Sequence, residues 1–256
     1  MPKPRTFQTP AIIIKKTRLG EADTIFTMYT PHLGKIQGIA RSVRKTASRL
    51  AGHLELLTYS QVTMAHGKNI DVIIGSQTID AFIPVKEDLD MVSCGLYMLE
   101  LVNQFTPEGT SDPSIFELLL SSMERLSRGA DARVLLRYFE LRLLRHSGYL
   151  PELFKCVACR RDIAGTGSLF SVPSGGLVCS RCKEEKNLRG LEISSGALRL
   201  VRMLQSGDWQ DIAQLSSDDK CALEVRNLMK IYIRDILDRD TRSAAWLEDL
   251  EYLGAG

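Results

Sequence analysis

Over the first eighty residues the apolar positions come in short β-branched runs or alternate with polar ones, and none recur with a helical period. Ala11-Ile12-Ile13-Ile14 is a β-branched run that turns basic at Lys15-Lys16 before Leu19-Gly20. Thr24 to Thr30 carries Ile25, Phe26, Met28 and Tyr29, and Pro31-His32-Leu33-Gly34 marks the turn after it. Lys35 to Val43 continues as a strand. Leu54 to Met64 and Ile70 to Ile79 follow, joined through His66-Gly67-Lys68-Asn69. About five closely spaced strands fit a small antiparallel barrel, of which the OB-fold is the commonest nucleic-acid-binding kind.

Near Val85 the period becomes helical. Leu89 to Phe105 places Val92, Leu96, Leu99 and Val102 on one stripe, and Asp112-Pro113 reads as the N-cap and first residue of a second helix with Ile115, Leu118, Leu119, Met123 and Leu126. A third runs from Arg133 to His146, with Leu135, Leu136, Phe139, Leu143 and Leu144 apolar and Gly148 as its stop. Two more are predicted near Ser194–Gln205 and Asp218–Leu237, with the last twenty residues as a loosely attached tail. The class is α+β.

Between the third and fourth helices lie two CxxC pairs, Cys156/Cys159 and Cys179/Cys182, separated by nineteen residues. Each pair presents two thiolates on one turn, and two such turns make a closed four-sulfur cage suited to Zn²⁺. Gly175-Gly176 supplies the hairpin that brings the halves together. Four protein ligands leave no position for water, so the expected zinc is structural. Lys155, Arg160, Arg161, Arg181 and Lys183 surround the cage; they offset its formal charge of about −2 or meet nucleic acid, and both readings stand. Cys94 and Cys221 fall in helical apolar patterns and read as small core residues. Disulfides would need an oxidising compartment; Met1 to Pro10 has no apolar signal region and no stretch has the length of a membrane span, so a cytoplasmic location is expected.

Of the 256 residues, 44% are hydrophobic and 25% charged, as in ordinary folded domains. The net charge of +2 hides an asymmetry: residues 1–80 hold eleven Lys/Arg against five Asp/Glu, and the remainder twenty-two against twenty-six. A basic first unit on a slightly acidic body suits a partner that is a polyanion. GxxxxGK[ST], GxSxG and HExxH are absent, and the four histidines, His32, His53, His66 and His146, are scattered, so the chain reads as a non-enzyme.

The most basic segment is the loop from Gly38 to Arg49, with Arg41, Arg44, Lys45 and Arg49; Lys15, Lys16, Arg18 and Lys35 extend it into one cationic surface for DNA. The alternative is a loop made basic for solubility. The run from Ala40 to Leu50 resembles the basic loop of the RecO family of bacterial recombination mediators, although Ser42 stands where that family usually has glycine. Glu21-Ala22-Asp23-Thr24 and Tyr29 to Lys35 resemble its early strands, Phe139 to Leu144 with Gly148-Tyr149 its central helix, and Phe170, Gly175-Gly176 and the CxxC pairs its zinc knuckle.

The resemblance implies an N-terminal OB-fold over 1–82, an α-helical domain over 83–153 and 188–256, and an embedded zinc knuckle over 154–187. It implies a protein of DNA repair and recombination that binds single- and double-stranded DNA, anneals complementary strands and, with RecR, loads RecA on DNA coated by single-stranded-DNA-binding protein. It also implies docking of that coating protein's acidic, apolar-ended tail on the helical domain, where Arg133 and Arg137 are the candidate partners and Leu136 and its neighbours the apolar seat. Aromatic platforms are sparse (Phe26, Tyr29, Tyr59), so phosphate contact should outweigh base contact. The alternatives from other classes are a zinc-ribbon RNA-binding translation or transcription factor, told apart by A-form selectivity, and a metal-dependent nuclease.

Overall fold

Strands β1 (Thr6–Leu19), β2 (Asp23–Thr30), β3 (Gly34–Ala40), β4 (Tyr59–Ala65) and β5 (Asp71–Asp80) close into a barrel in the order β1-β2-β3-β5-β4. The β3–β5 pairing is parallel and the others are antiparallel, so the barrel is OB-like. The computed structural model describes residues 5–45, 50–163, 168–185, 187, 189–215, 219–238, 241 and 243. Its backbone packs into two units, Met1–Ala130 with Thr241–Gly256, and Asp131–Asp240.

The barrel is filled by alternate positions: Ala11 and Ile13, Phe26 and Met28, Val62 and Met64, and Ile73, with Ala40, Val43 and Leu54 at its ends. β1 runs on through the lysine pair to Leu19. It pairs with β4 through its first half and β2 through its second, and one strand serves both because a bulge between Ile13 and Lys15 bends it. β3 ends at Ala40, earlier than Val43, because Ser42 takes φ +53°.

The fourth strand also starts later than its apolar run indicates. Ala51–His53 form a 3₁₀ turn, and Leu57 at φ +56° breaks the chain before Tyr59. Leu54 and Leu57 are apolar because they plug the barrel and pack on the helices, with Leu57 against Gly95. His53 pins this segment: its carbonyl accepts from Ser60 Oγ (2.8 Å) and Ser76 Oγ (3.3 Å), and its Nδ1 lies 2.8 Å from Thr78 Oγ1.

Helices α1 (Ile83–Lys86), α2 (Leu89–Phe105) and α3 (Pro113–Ser127) complete the first unit, with α2 packed on β1 and α3 on β2. The packing unit thus runs past residue 82, where the sequence pattern changes. Asp88 and Asp112 cap α2 and α3 by accepting from Met91 N and Ser114 N, both at 2.9 Å. α2 buries more than the expected stripe, adding Cys94, Tyr97, Met98 and Leu101, while Val92 and Leu96 stay half-buried; it has neighbours on two sides.

The second unit holds α4 (Ala132–His146), the hairpin β6 (Leu169–Ser171) and β7 (Gly176–Val178), α5 (Ser180–Glu185), β8 (Leu191–Glu192), α6 (Ser195–Ser206), α7 (Trp209–Ile212) and α8 (Asp219–Leu237). α4 packs on α6, α7 and α8. The hairpin is built into this unit: Tyr232 of α8 meets Phe170 edge-on at 5.3 Å, and Tyr232 OH donates to Tyr149 O at 2.9 Å. Among the described residues no helix is long and apolar enough to cross a membrane.

Candidate nucleic-acid interface and metal centre

Lys15, Lys16 and Arg18 lie on the second half of β1, where every residue from Lys15 to Leu19 is exposed. Arg18 faces Thr24 across the ladder and Thr24 faces Ala40, so the end of β1 and the start of the basic turn flank the same residue of β2. The turn folds back on the β1–β2 connection. Arg44 N donates to Ala22 O (3.1 Å), the Arg44 guanidinium donates to Gly20 O, and Ser42 N donates to Asp23 Oδ1 (2.8 Å). Those bonds anchor Arg41, Arg44 and Lys45 beside Lys15 and Arg18, all five exposed.

Ser42 takes the left-handed conformation that a glycine would adopt without cost, and its N–H bond to Asp23 helps hold it there. Asp23 is thus a positioning residue for the turn. It was visible in the Glu21-Ala22-Asp23-Thr24 block but carried no role there.

Two of the expected cations are placed differently. Lys35 is buried, and its Nζ donates to Asn103 O at 2.7 Å; burial holds its pKa below the ordinary lysine value despite Glu108 nearby. It anchors β3 to α2 and does not join the exposed surface. Lys16 is exposed in part but engaged: its cross-strand partner Phe26 is a core residue, its Nζ lies over that ring at 5.8 Å, and it pairs with Glu55 Oε2 at 2.8 Å. Nothing in the sequence signalled Glu55 as that partner. Arg49 lies outside the described residues. Phe26 and Tyr29 are core residues and Tyr59 packs edge-on against Phe116, so none of the three is a free stacking platform.

The four cysteines converge. Their sulfurs all lie within 4.8 Å of one another, and Cys159 Sγ is 3.8 Å from Cys179 Sγ. Tetrahedral zinc with bonds of about 2.3 Å to sulfur separates its ligands by about 3.8 Å, so the donor set fits that ion. Two elements aim the sulfurs. The turn after Lys155 is closed by Arg160 N to Cys156 O and Cys156 N to Arg161 O, each 2.8 Å; the second pair sits at the start of α5.

Gly175, at φ +68°, turns the β6–β7 hairpin, and a Cβ on Gly176 would lie 2.5 Å from Glu152 O. Burial opposes ionisation of Cys156, but N–H groups of Cys179, Cys159 and Ala158 hold its pKa down to about 6. Cys182 is pushed up to about 12 by burial and by the crowded sulfurs, so without a cation the cage resists full ionisation. Cys94 is a core residue as expected, whereas Cys221 is only half-buried.

The α4 arginines differ from one another. Arg133 is exposed and pairs with Asp131 (3.2 Å) and Asp219 (3.7 Å). Arg137 is enclosed, with only 12% of its side chain exposed; it pairs with fully buried Glu140 at 2.7 Å and donates to Arg226 O. Its charge is committed to the core of the unit, and Leu136 is buried beside it, so neither offers a surface to a peptide.

The model for "Recombination protein O N terminal" matches residues 3–82, and that for "Recombination protein O C terminal" matches residues 86–245. The chain is 41% identical over 250 residues to the DNA repair protein RecO of Dehalococcoides mccartyi strain ATCC BAA-2266, covering 98% of each. It is 36% identical over 249 residues to that of Roseiflexus sp. strain RS-1, covering 97% of this chain and 87% of the other. With that of Pelotomaculum thermopropionicum it shares 31% over 252 residues, covering 98% and 97%.

Proposed function

The chain belongs to the RecO family, and we propose that it serves DNA repair as a non-enzymatic recombination mediator that binds single- and double-stranded DNA and anneals complementary strands. The observation that carries this reading is the group of exposed cations, Lys15, Arg18, Arg41, Arg44 and Lys45, anchored at one end of an OB-like barrel. Phosphate backbones repel one another, and a cationic surface that takes up both lowers that cost while releasing counterions. Because Phe26, Tyr29 and Tyr59 are occupied in packing, the contact is to phosphate and sequence preference is weak.

Within this reading the chain acts with RecR to load RecA on DNA coated by single-stranded-DNA-binding protein, and that coating protein's acidic tail docks on the second unit. Arg133, exposed on α4 and paired with Asp131 and Asp219 at the surface, is the cation assigned to it; Arg137 is not, because Glu140 holds it in the interior. The four-cysteine centre would hold Zn²⁺ through Cys156, Cys159, Cys179 and Cys182, where the ion supplies cross-linking in a closed shell with no open position for substrate.

The test is binding of a labelled single-stranded oligonucleotide at low salt by the parent and by the double variant Arg44→Glu, Lys45→Glu. Affinity is expected to fall more than about tenfold, with two phosphate contacts reversed in sign, and the circular dichroism spectrum to stay unchanged. Equal affinity in a folded variant would refute the assignment of the turn.

A further inference from the structure

The second unit carries a cationic surface of its own, and Arg202 is what assembles it. From α6 its Nε donates to Leu153 O and its Nη2 to Ile163 O, both at 2.7 Å, so it clamps the two flanks of the first CxxC loop onto the helix. Its guanidinium also lies over the Phe154 ring at 5.2 Å. Phe154 is 44% exposed and Met203 43% exposed. With Leu198 and Arg199 they line a groove of about 500 Å³ along α6.

Lys155, Arg160 and Arg161 stand on the clamped loop and Arg199 on the helix, all exposed. Counting Arg202, none of these five cations has an ion pair among the described residues. Arg181 and Lys183 differ, for they pair with Glu185 (2.7 Å) and Glu192 (3.5 Å). The nearby carboxylates are Asp162, whose backbone bridges to Lys155, and Glu152. Glu152 is turned to the N–H groups of Phe154 (2.9 Å) and Lys155 (3.0 Å), which hold it ionised together with the nearby charges of Arg160 and Lys155. The surface keeps an excess of positive charge around an exposed aromatic ring.

Arg160 closes the first CxxC turn through its N–H to Cys156 O. It sits at φ +62°, where a side chain is strained and glycine would fit freely. The turn carries its guanidinium exposed.

We propose that this surface is a second site for single-stranded nucleic acid, with a base lying on Phe154 and flanking phosphates on Arg199 and on Lys155, Arg160 and Arg161. Arg199 lines the groove with Phe154 and Lys155 follows Phe154 in the chain, so cations flank one exposed aromatic as phosphates flank a base along a strand. An acidic peptide with one apolar end would fill the groove by Met203 and leave the loop cations unused. The inference rests on the mediator reading and extends it: each unit has a phosphate-binding surface, so one molecule can hold two strands.

The test uses the full chain with Arg160→Gly plus Arg199→Gln, and separately Phe154→Leu. Glycine relieves the turn, so the double variant keeps its melting temperature and metal content. The affinity for a labelled single-stranded oligonucleotide is expected to fall about tenfold, and the slope of log K against log salt to shallow by about 1.4, at about 0.7 per phosphate contact. Phe154→Leu should weaken single-stranded but not duplex binding, since only the former offers an unstacked base.

Unchanged affinity and slope in both variants would overturn the proposal. So would metal loss in the double variant with DNA binding intact, which would make these cations a charge offset for the thiolates. Displacement of an acidic, apolar-ended peptide from the groove without any effect on DNA would assign it to a peptide instead. The barrel-turn variant keeps the two readings separable: if it alone loses affinity, the mediator reading stands and the second site falls.

Discussion

Glu55 engages Lys16, one of the cations expected to meet phosphate. Its carboxylate holds Lys16 at 2.8 Å on the rim of the barrel, with both groups partly in solvent. Such a pair contributes about 0–1 kcal/mol to stability, so it can be broken by a better anion. Glu55→Gln is expected to tighten single-stranded DNA binding a few-fold and steepen the salt slope by about 0.7, one added phosphate contact, with melting almost unmoved. Weaker or unchanged binding in a titration by fluorescence anisotropy would mean that Lys16 serves only the barrel. At this scale the sequence tells which residues are cationic but not which cations are free. Lys35 and Arg137 look like their neighbours in the chain, yet one donates to Asn103 O and the other neutralises Glu140. Both fates depend on partners 68 and 3 residues away whose burial only folding decides.

At the scale of elements, the helices were legible from their ends. Asp112-Pro113 starts α3 as its side-chain chemistry requires, and α2 spans Leu89–Phe105 as its period requires. The fourth strand was not, because Leu54 is apolar as a plug of the barrel and Leu57 as a contact of α2, and an apolar run does not distinguish these from a strand. The CxxC spacing and Gly175-Gly176 anticipated the cage, since the ligand turns and the hairpin are local features. The element-scale prediction follows from that cage. Replacing Cys156 and Cys159 by serine should abolish stoichiometric zinc, measured by elemental analysis, and lower the melting temperature, because the metal-ligand bonds are part of the folding free energy. A double variant as stable as the parent would show that the hairpin holds on its packing against α8 alone.

On the scale of the whole molecule, the basic excess of residues 1–80 has a physical location in the first unit, and the second unit gathers cations of its own. In the first, the turn at Arg41–Lys45 is lashed to the β1–β2 connection by Arg44 and by the Ser42–Asp23 bond, which sets its cations beside Lys15 and Arg18. In the second, Arg202 gathers the first CxxC loop onto α6. The chain has no phosphate-binding loop of the GxxxxGK[ST] kind. We propose that these cations bring complementary strands together by neutralising phosphate. The measurement that tests it most directly is annealing of two complementary labelled oligonucleotides without nucleotide, followed across a salt series for the parent and for Arg44→Glu, Lys45→Glu. The account predicts acceleration by the parent that fades as salt rises and is lost in the variant; no acceleration by folded parent protein, or acceleration indifferent to both salt and the turn, would contradict it.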